Sequence, residues 1–485
     1  MKRILIIITV LLSVLAGCTD KFEDFNTDKK HPAVVPGEAL FTNAQKELTD
    51  YTSNTNVNIN IYKLMSQYWT ETTYIDEANY DLITRNISTN VYFRMYLRVL
   101  TDLKEATGII EATEVAAADE SAKNNKLQII ELLNVYVYSH LVDIFGAVPY
   151  TEALDPENVY PKYDNGTDIY ADLFSRLDAA LGKLDASSGS YDNADLYYGG
   201  DVSAWVKFGN TLKVRMAITI ADADNAKAKS AVETAYGNAF GSNDDDCMLH
   251  YLTSSPNYNQ LYADLVASGR HDFVPANTIV DAMNELADPR LGAYFADKMD
   301  VDTTDGVDMQ YLGGVYGYPN SYSQCSHLNP TIEAPDFPGI MMTYAELCFY
   351  LAEAAERGYS VGGSAEEWYN KGIEASFDFW GVSGASAYIA KADVAYATAE
   401  GNWKQKIGVQ SWIANYTRGY EGYNNWRRLD FPIFNLPEQA VAYEDIPVRF
   451  TFPVNEQTLN AVNYNAAATA VGGDLITTKI FWDKQ

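Results

Sequence analysis

Asp201-Val-Ser-Ala-Trp205-Val-Lys-Phe208-Gly-Asn210-Thr-Leu212-Lys-Val-Arg215-Met216-Ala217 carries the reading of the fold. Trp205, Phe208, Leu212, Met216 and Ile220 step by three and then by four. That spacing puts them on one stripe of a helix, the face that packs into a core. The same signature recurs upstream. Ile169, Leu173, Leu177, Leu181 and Leu184 form one stripe, and Leu127, Ile130, Leu133, Val137 and Leu141 form another. A mostly helical chain is expected.

The clearest helical pair spans Thr343 to Trp380. Thr343-Tyr-Ala-Glu346 and Ser364-Ala-Glu-Glu367 both have the capping-box spacing, in which a hydroxyl and a carboxylate satisfy free amides at a helix start. Gly358 supplies a left-handed stop between the two helices, and the second ends near Gly381. Two helices in so short a span resemble a tetratricopeptide-like hairpin without the strict consensus. Residues 237–338 differ: Gly, Pro, Asp, Asn and Tyr abound, and one helix is expected near Asn277 to Ala287. Loops held on a rigid scaffold are a usual place for binding.

The chain begins with Met1, Lys2 and Arg3, then an apolar run from Ile4 to Leu15, then Leu15-Ala16-Gly17-Cys18. Basic, apolar and small-residue zones in that order read as a secretory signal, residues 1–17. The run is too short for a spanning helix, which needs roughly 20 residues. Leu-Ala-Gly-Cys matches the bacterial lipobox, so Cys18 is expected to carry lipid and to start the mature chain. Residues 18–36, with Pro32 and Pro36, read as a tether, and 37–485 as one large domain. The acidic residues just after Cys18 resemble a bacterial surface-export signal, a resemblance that implies display at the cell surface.

The net charge is −30, which becomes −32 once Lys2 and Arg3 are cut away. Such a chain repels nucleic acid phosphates and anionic lipid. Beyond Cys18, three cysteines remain, Cys247, Cys325 and Cys348, enough for at most one disulfide. Tyr outnumbers Phe 36 to 19, which suggests many rings with one wet edge.

Several segments, taken in order, resemble the SusD/RagB family. They are the lipobox, Phe145-Gly-Ala-Val-Pro149-Tyr150, the Trp205 helix with its Arg215-Met216-Ala217, Asp288-Pro289-Arg290, and Glu346 with Ala352-Glu353-Ala354. Glu421-Gly-Tyr-Asn-Asn-Trp426-Arg427-Arg428-Leu429-Asp430 follows, then Arg449-Phe-Thr-Phe-Pro453 with Glu456, Asn460, Asn463 and Tyr464. The resemblance implies four tetratricopeptide-like helix pairs carrying a loop-rich ligand-binding part. It also implies an outer-membrane lipoprotein that captures glycans or oligosaccharides, or else peptides, for a SusC-like TonB-dependent transporter.

Sugar binding needs an aromatic face for the C–H side of the ring and polar groups for its hydroxyls. Two stretches offer that mix: Trp69, Tyr74, Asp76, Asn79 and Tyr80, just after an expected helix at 61–67, and Tyr316, Tyr318, Asn320 and Tyr322. Tyr258 and Tyr262 are weaker candidates. Trp205, Phe208 and Leu212 read as core. Glu421, Arg427, Arg428 and Asp430 read as ion pairs holding the last helices, and Asp288 to Arg290 as a helix end and turn. His140, in an apolar helix, reads as a core residue. Asp164-Asn-Gly-Thr-Asp168 resembles part of a calcium loop but lacks its bidentate Glu, so Thr167 reads instead as a helix cap. Calcium at Asp244-Asp245-Asp246 is left open, and no other cofactor is implied. HExxH, GxSxG and Walker A motifs are missing, and no two of the five histidines have ligand spacing, which argues against an enzyme, including a surface glycoside hydrolase.

Overall fold

The 201–217 stretch is helical in the computed structural model, which describes residues 35–300, 308–437 and 446–484. The signal, Cys18 and all but the last two residues of the tether lie outside the described residues. Four helix pairs form the scaffold: α1 (Gly37–Ser53) with α2 (Thr101–Ala112), α3 (Glu120–Phe145) with α4 (Gly166–Leu181), α5 (Val202–Thr219) with α6 (Asn225–Ala235), and, beyond α7 (Asn277–Glu285), α8 (Tyr344–Glu356) with α9 (Ala365–Phe379). Then α10 (Trp403–Ala414) and α11 (Gly419–Leu429) pack on each other, and α10 also packs on α8.

The expected stripes face inward. Trp205, Phe208 and Leu212 are buried, each contributing about 1.5–3 kcal/mol of apolar burial. The Asp201 carboxylate accepts from the amides of Ser203 and Ala204 and so starts α5. Ser364 and Glu367 make the full reciprocal box at the start of α9. At the start of α8 only half of it forms. Thr343 accepts from the Glu346 amide, but the Glu346 carboxylate accepts from Tyr350 (2.9 Å) and Arg418 (2.7 Å). The cap of α4 is Asn165, which accepts from the Thr167 amide, rather than Thr167 itself. The helix expected at 61–67 shrinks to Tyr62–Met65.

Buried charges join the last helices to the scaffold. Arg428 pairs with Glu353, Arg418 with Glu346, and Arg290 with Asp288 at 2.6 Å, all buried. Two expected pairings take another form. Arg427 donates to the carbonyls of Asp143 and Val448 instead of to a carboxylate. Asp430 is the left-handed cap of α11, at φ 61°. His140 is fully buried among Tyr51, Tyr62, Tyr136 and Tyr420, which holds its imidazole well below the usual range.

The tyrosines depart from the expectation of wet edges. Tyr68, Tyr294, Tyr316, Tyr369 and Tyr423 are buried, and each hydroxyl donates to a backbone carbonyl: Trp412, Ile413, Leu64, Val394 and Pro447 respectively. A phenol here packs as a ring and ties down a distant carbonyl, a job Phe cannot do. Cys247, Cys325 and Cys348 are buried free thiols, so no disulfide forms among them.

Candidate functional site

Two strands place the candidate residues. β1 (Trp69–Glu71) pairs antiparallel with β2 (Phe273–Pro275), with Thr70 opposite Val274. The ladder is prolonged at one end, where the Thr72 amide donates to the Asp272 carbonyl (2.8 Å) and its hydroxyl to the His271 carbonyl (2.6 Å). Residues 69–80 and 315–322 meet on this edge despite their separation in the chain. Asn79 Nδ2 donates to the Gly317 carbonyl (2.8 Å), the Gly317 amide to Thr70 Oγ1 (3.2 Å), and Asn320 Nδ2 to the Glu71 and Val315 carbonyls.

Glycine is required where residues 313–317 pack on their other neighbours. A Cβ on Gly313 would lie 2.5 Å from the backbone of Asn277. Gly317 has φ +72°, and a Cβ there would sit 2.7 Å from Pro437. The 72–81 loop carries strain as well, with Tyr74 at φ 56° and Tyr80 at φ 68°. Left-handed backbone at non-glycine residues persists only where the surroundings hold it, a pattern concentrated at functional sites.

The surface formed is smaller than the sequence suggested. Trp69 is fully buried, its Nε1 donating to Tyr416 Oη (3.1 Å). Tyr80 and Tyr316 are buried against each other, tilted at 43° with centroids 6.2 Å apart, and Asn79 is spent on the Ile75 and Gly317 carbonyls. Burial pushes the Tyr80 phenol up to about 12. These four residues position the loops and offer no face to a ligand. Tyr74 is 66% exposed and Tyr318 42% exposed, with Asp76 exposed and Asn320 half-buried between backbone carbonyls. Tyr322 is half-buried, with rings on both faces: His271 at 4.3 Å and His327 at 3.9 Å between centroids. Neither histidine stood out in the sequence. The one available signal was that His271 sits in a polar run, Arg270-His271-Asp272, next to an apolar strand. Tyr258 and Tyr262 pack against each other at 5.3 Å.

Beneath the surface lies an acid pair. Burial, then the neighbouring Glu77, pushes the Glu71 carboxyl up to about 9. Glu77 is raised by burial and opposed by Arg85, with which it pairs. Farther along, a cleft of about 750 Å³ opens between α7, residues 392–400, α10 and residues 431–435. Asp281, Glu285, Asp393 and Glu400 line it with Lys406 and Ile433.

The acidic runs read as calcium candidates are engaged by protein donors. Asp164 accepts from the Thr151 amide and hydroxyl, Asp245 pairs with Lys207, and Asp246 accepts from the Tyr344 amide. Among the described residues, no group of three or more His, Cys, Asp or Glu side chains is placed to hold a metal ion. Also among them, no helix is long and apolar enough to cross a membrane.

A helical scaffold that exposes aromatic rings and a carboxylate on interlocked loops has the form of a ligand-binding protein. Residues 28–453 match the SusD-like family described as starch-binding and associating with the outer membrane, and the chain belongs to that family. It is an outer-membrane-associated nutrient-binding protein, and it binds without catalysing. Among solved structures, it is similar to a chitin-binding protein at 27% identity and TM-score 0.80, covering 93% of this chain and 100% of that one. A chitin-binding SusD homologue from Flavobacterium johnsoniae matches at 25% identity and TM-score 0.75, covering 92% and 97% of the two chains. A SusD-like protein from Bacteroides thetaiotaomicron has the same fold at TM-score 0.76 and 24% identity, with 93% and 99% covered. No curated protein matches.

Proposed function

We propose that this chain captures glycans at the β1–β2 edge and passes them to a SusC-like TonB-dependent transporter, held at the cell surface by lipid on Cys18. The observation that carries the ligand class is that two loops joined by hydrogen bonds expose two rings, Tyr74 and Tyr318, and the Asp76 carboxylate. A ring face takes the C–H side of a pyranose, while the exposed Asp76 carboxylate takes its hydroxyls. The chitin-binding relatives support oligosaccharides of that kind as first ligands to try. Migration in native gels containing soluble glycans tests the reading. Retardation by one glycan, lost in Tyr74→Ala and Tyr318→Ala at unchanged melting temperature, is expected.

The 750 Å³ cleft favours a second reading, peptide capture. Its mixture of four carboxylates with Ile433, which is 75% exposed, suits a segment bearing Lys or Arg better than a neutral sugar. Calorimetry with cationic peptides separates the two, since this site is independent of Tyr74 and Tyr318. The transporter has its own test: cross-linking before detergent extraction should bring down a large barrel protein with the lipoprotein.

A further inference from the structure

We propose that the outer face of His271 is a stacking surface for a sugar ring, an inference that rests on the glycan-binding reading. Tyr322 looks in the sequence like a stacking residue, but both of its faces are filled. His271 lies 4.3 Å away at 28° on one side, and His327 lies 3.9 Å away at 11° on the other. Among the described residues the stack therefore ends at His271, which is exposed and has Tyr322 as its one aromatic neighbour.

His271 is held at its backbone and on one face of its ring. Its own carbonyl accepts from Thr72 Oγ1 at 2.6 Å, which ties it to the loop carrying Tyr74. Tyr322 backs its inner face. Tyr322 is in turn backed by His327, which bonds through Nε2 to the Tyr322 carbonyl (2.9 Å) and through Nδ1 to Asp297 Oδ2 (2.7 Å). A ring already backed on one face has less freedom to lose when a ligand covers the other, so more of the stacking attraction appears as affinity. Next to it, Arg270 Nη2 donates to Asp272 Oδ1 at 3.0 Å. That pair balances the guanidinium's charge within the chain, so the edge suits a neutral pyranose better than an acidic sugar. Three stacked rings, with the terminal one exposed, form a column that a pyranose would extend by one.

The chain has five histidines, so selective ¹³C labelling of histidine in the chain from Thr19 onward gives few enough signals to follow individually. The probes are chitohexaose and maltohexaose, and His271→Phe identifies the His271 signal by its loss. The proposal expects the His271 ring signal to shift saturably with the bound glycan while that of buried His140 stays in place. His271→Ala should weaken binding about tenfold, the scale of one lost ring contact. His271→Phe should restore it, because a phenyl ring stacks without the imidazole nitrogens. Binding that is equal in His271→Ala and the parent chain, with an unmoved His271 signal, overturns the inference and leaves glycan capture standing. A parent chain that binds neither these two sugars nor any other glycan overturns both.

Discussion

Trp69→Ala and Tyr74→Ala should separate into a stability variant and a binding variant. Trp69 is fully buried, packs near Phe273, has Lys63 Nζ 5.5 Å from its ring, and donates from Nε1 to Tyr416. Truncating a buried Trp costs about 3–5 kcal/mol, through lost transfer energy and the cavity left behind. The Tyr416 hydroxyl also loses its partner, at a cost within the same range. With roughly 435 described residues unfolding at about 2.1 cal/mol/K each, one kcal/mol moves the melting temperature by about 1 °C. Trp69→Ala should therefore melt about 3–5 °C lower, with glycan binding weakened only as far as the 72–81 loop relaxes. Tyr74 is 66% exposed, so its truncation should change stability by less than about 0.5 kcal/mol. It should still weaken binding about tenfold, as expected for one stacked ring. Calorimetric melting and glycan titration of both variants give the answer. A Trp69→Ala chain that melts with the parent yet loses binding would refute this placement of the two rings.

Three further outcomes follow from the geometry. Glu353→Ala leaves Arg428 buried without its carboxylate and also removes a partner of Arg357, so a loss of about 3–5 kcal/mol is expected in urea unfolding. Glu71 is held protonated by burial, so the folded chain binds more protons than the unfolded one between the ordinary value of 4.5 and about 9. Stability should decline as pH rises through that window, and Glu71→Gln should flatten the decline, as read by unfolding curves at pH 5 and pH 9. Cys18→Ala should release the chain from the membrane fraction, and mass spectrometry of the parent should find acyl chains at the mature N-terminus.

The helical scaffold was legible because its signals are local. The 205–220 stripe, the Ser364 box and the Gly358 stop each lie within one helix length, and each appears where the spacing put it. The departures come from distant partners. Glu346 leaves its capping box because Arg418 and Tyr350 reach it from outside the first turn. The site was legible as two stretches but not as one surface. Which rings stay exposed is decided by loops more than 200 residues apart closing on each other, as Asn79 does on Gly317. That closure buries Trp69, Tyr80 and Tyr316 and leaves Tyr74 and Tyr318 outside. His271 carries no periodic or motif signal, and its place beside Tyr322 comes from tertiary packing. The tyrosine excess misled for a related reason: a hydroxyl needs a partner, and a buried carbonyl serves as well as water.

The most direct test of the central claim is isothermal titration of the soluble chain with a panel of oligosaccharides, starting from chitin and starch fragments, alongside the Tyr74→Ala/Tyr318→Ala double variant. The account predicts saturable binding by the parent to at least one glycan and its loss in the double variant at an unchanged melting temperature. Full affinity in the double variant, or no binding of any glycan by the parent, would contradict it.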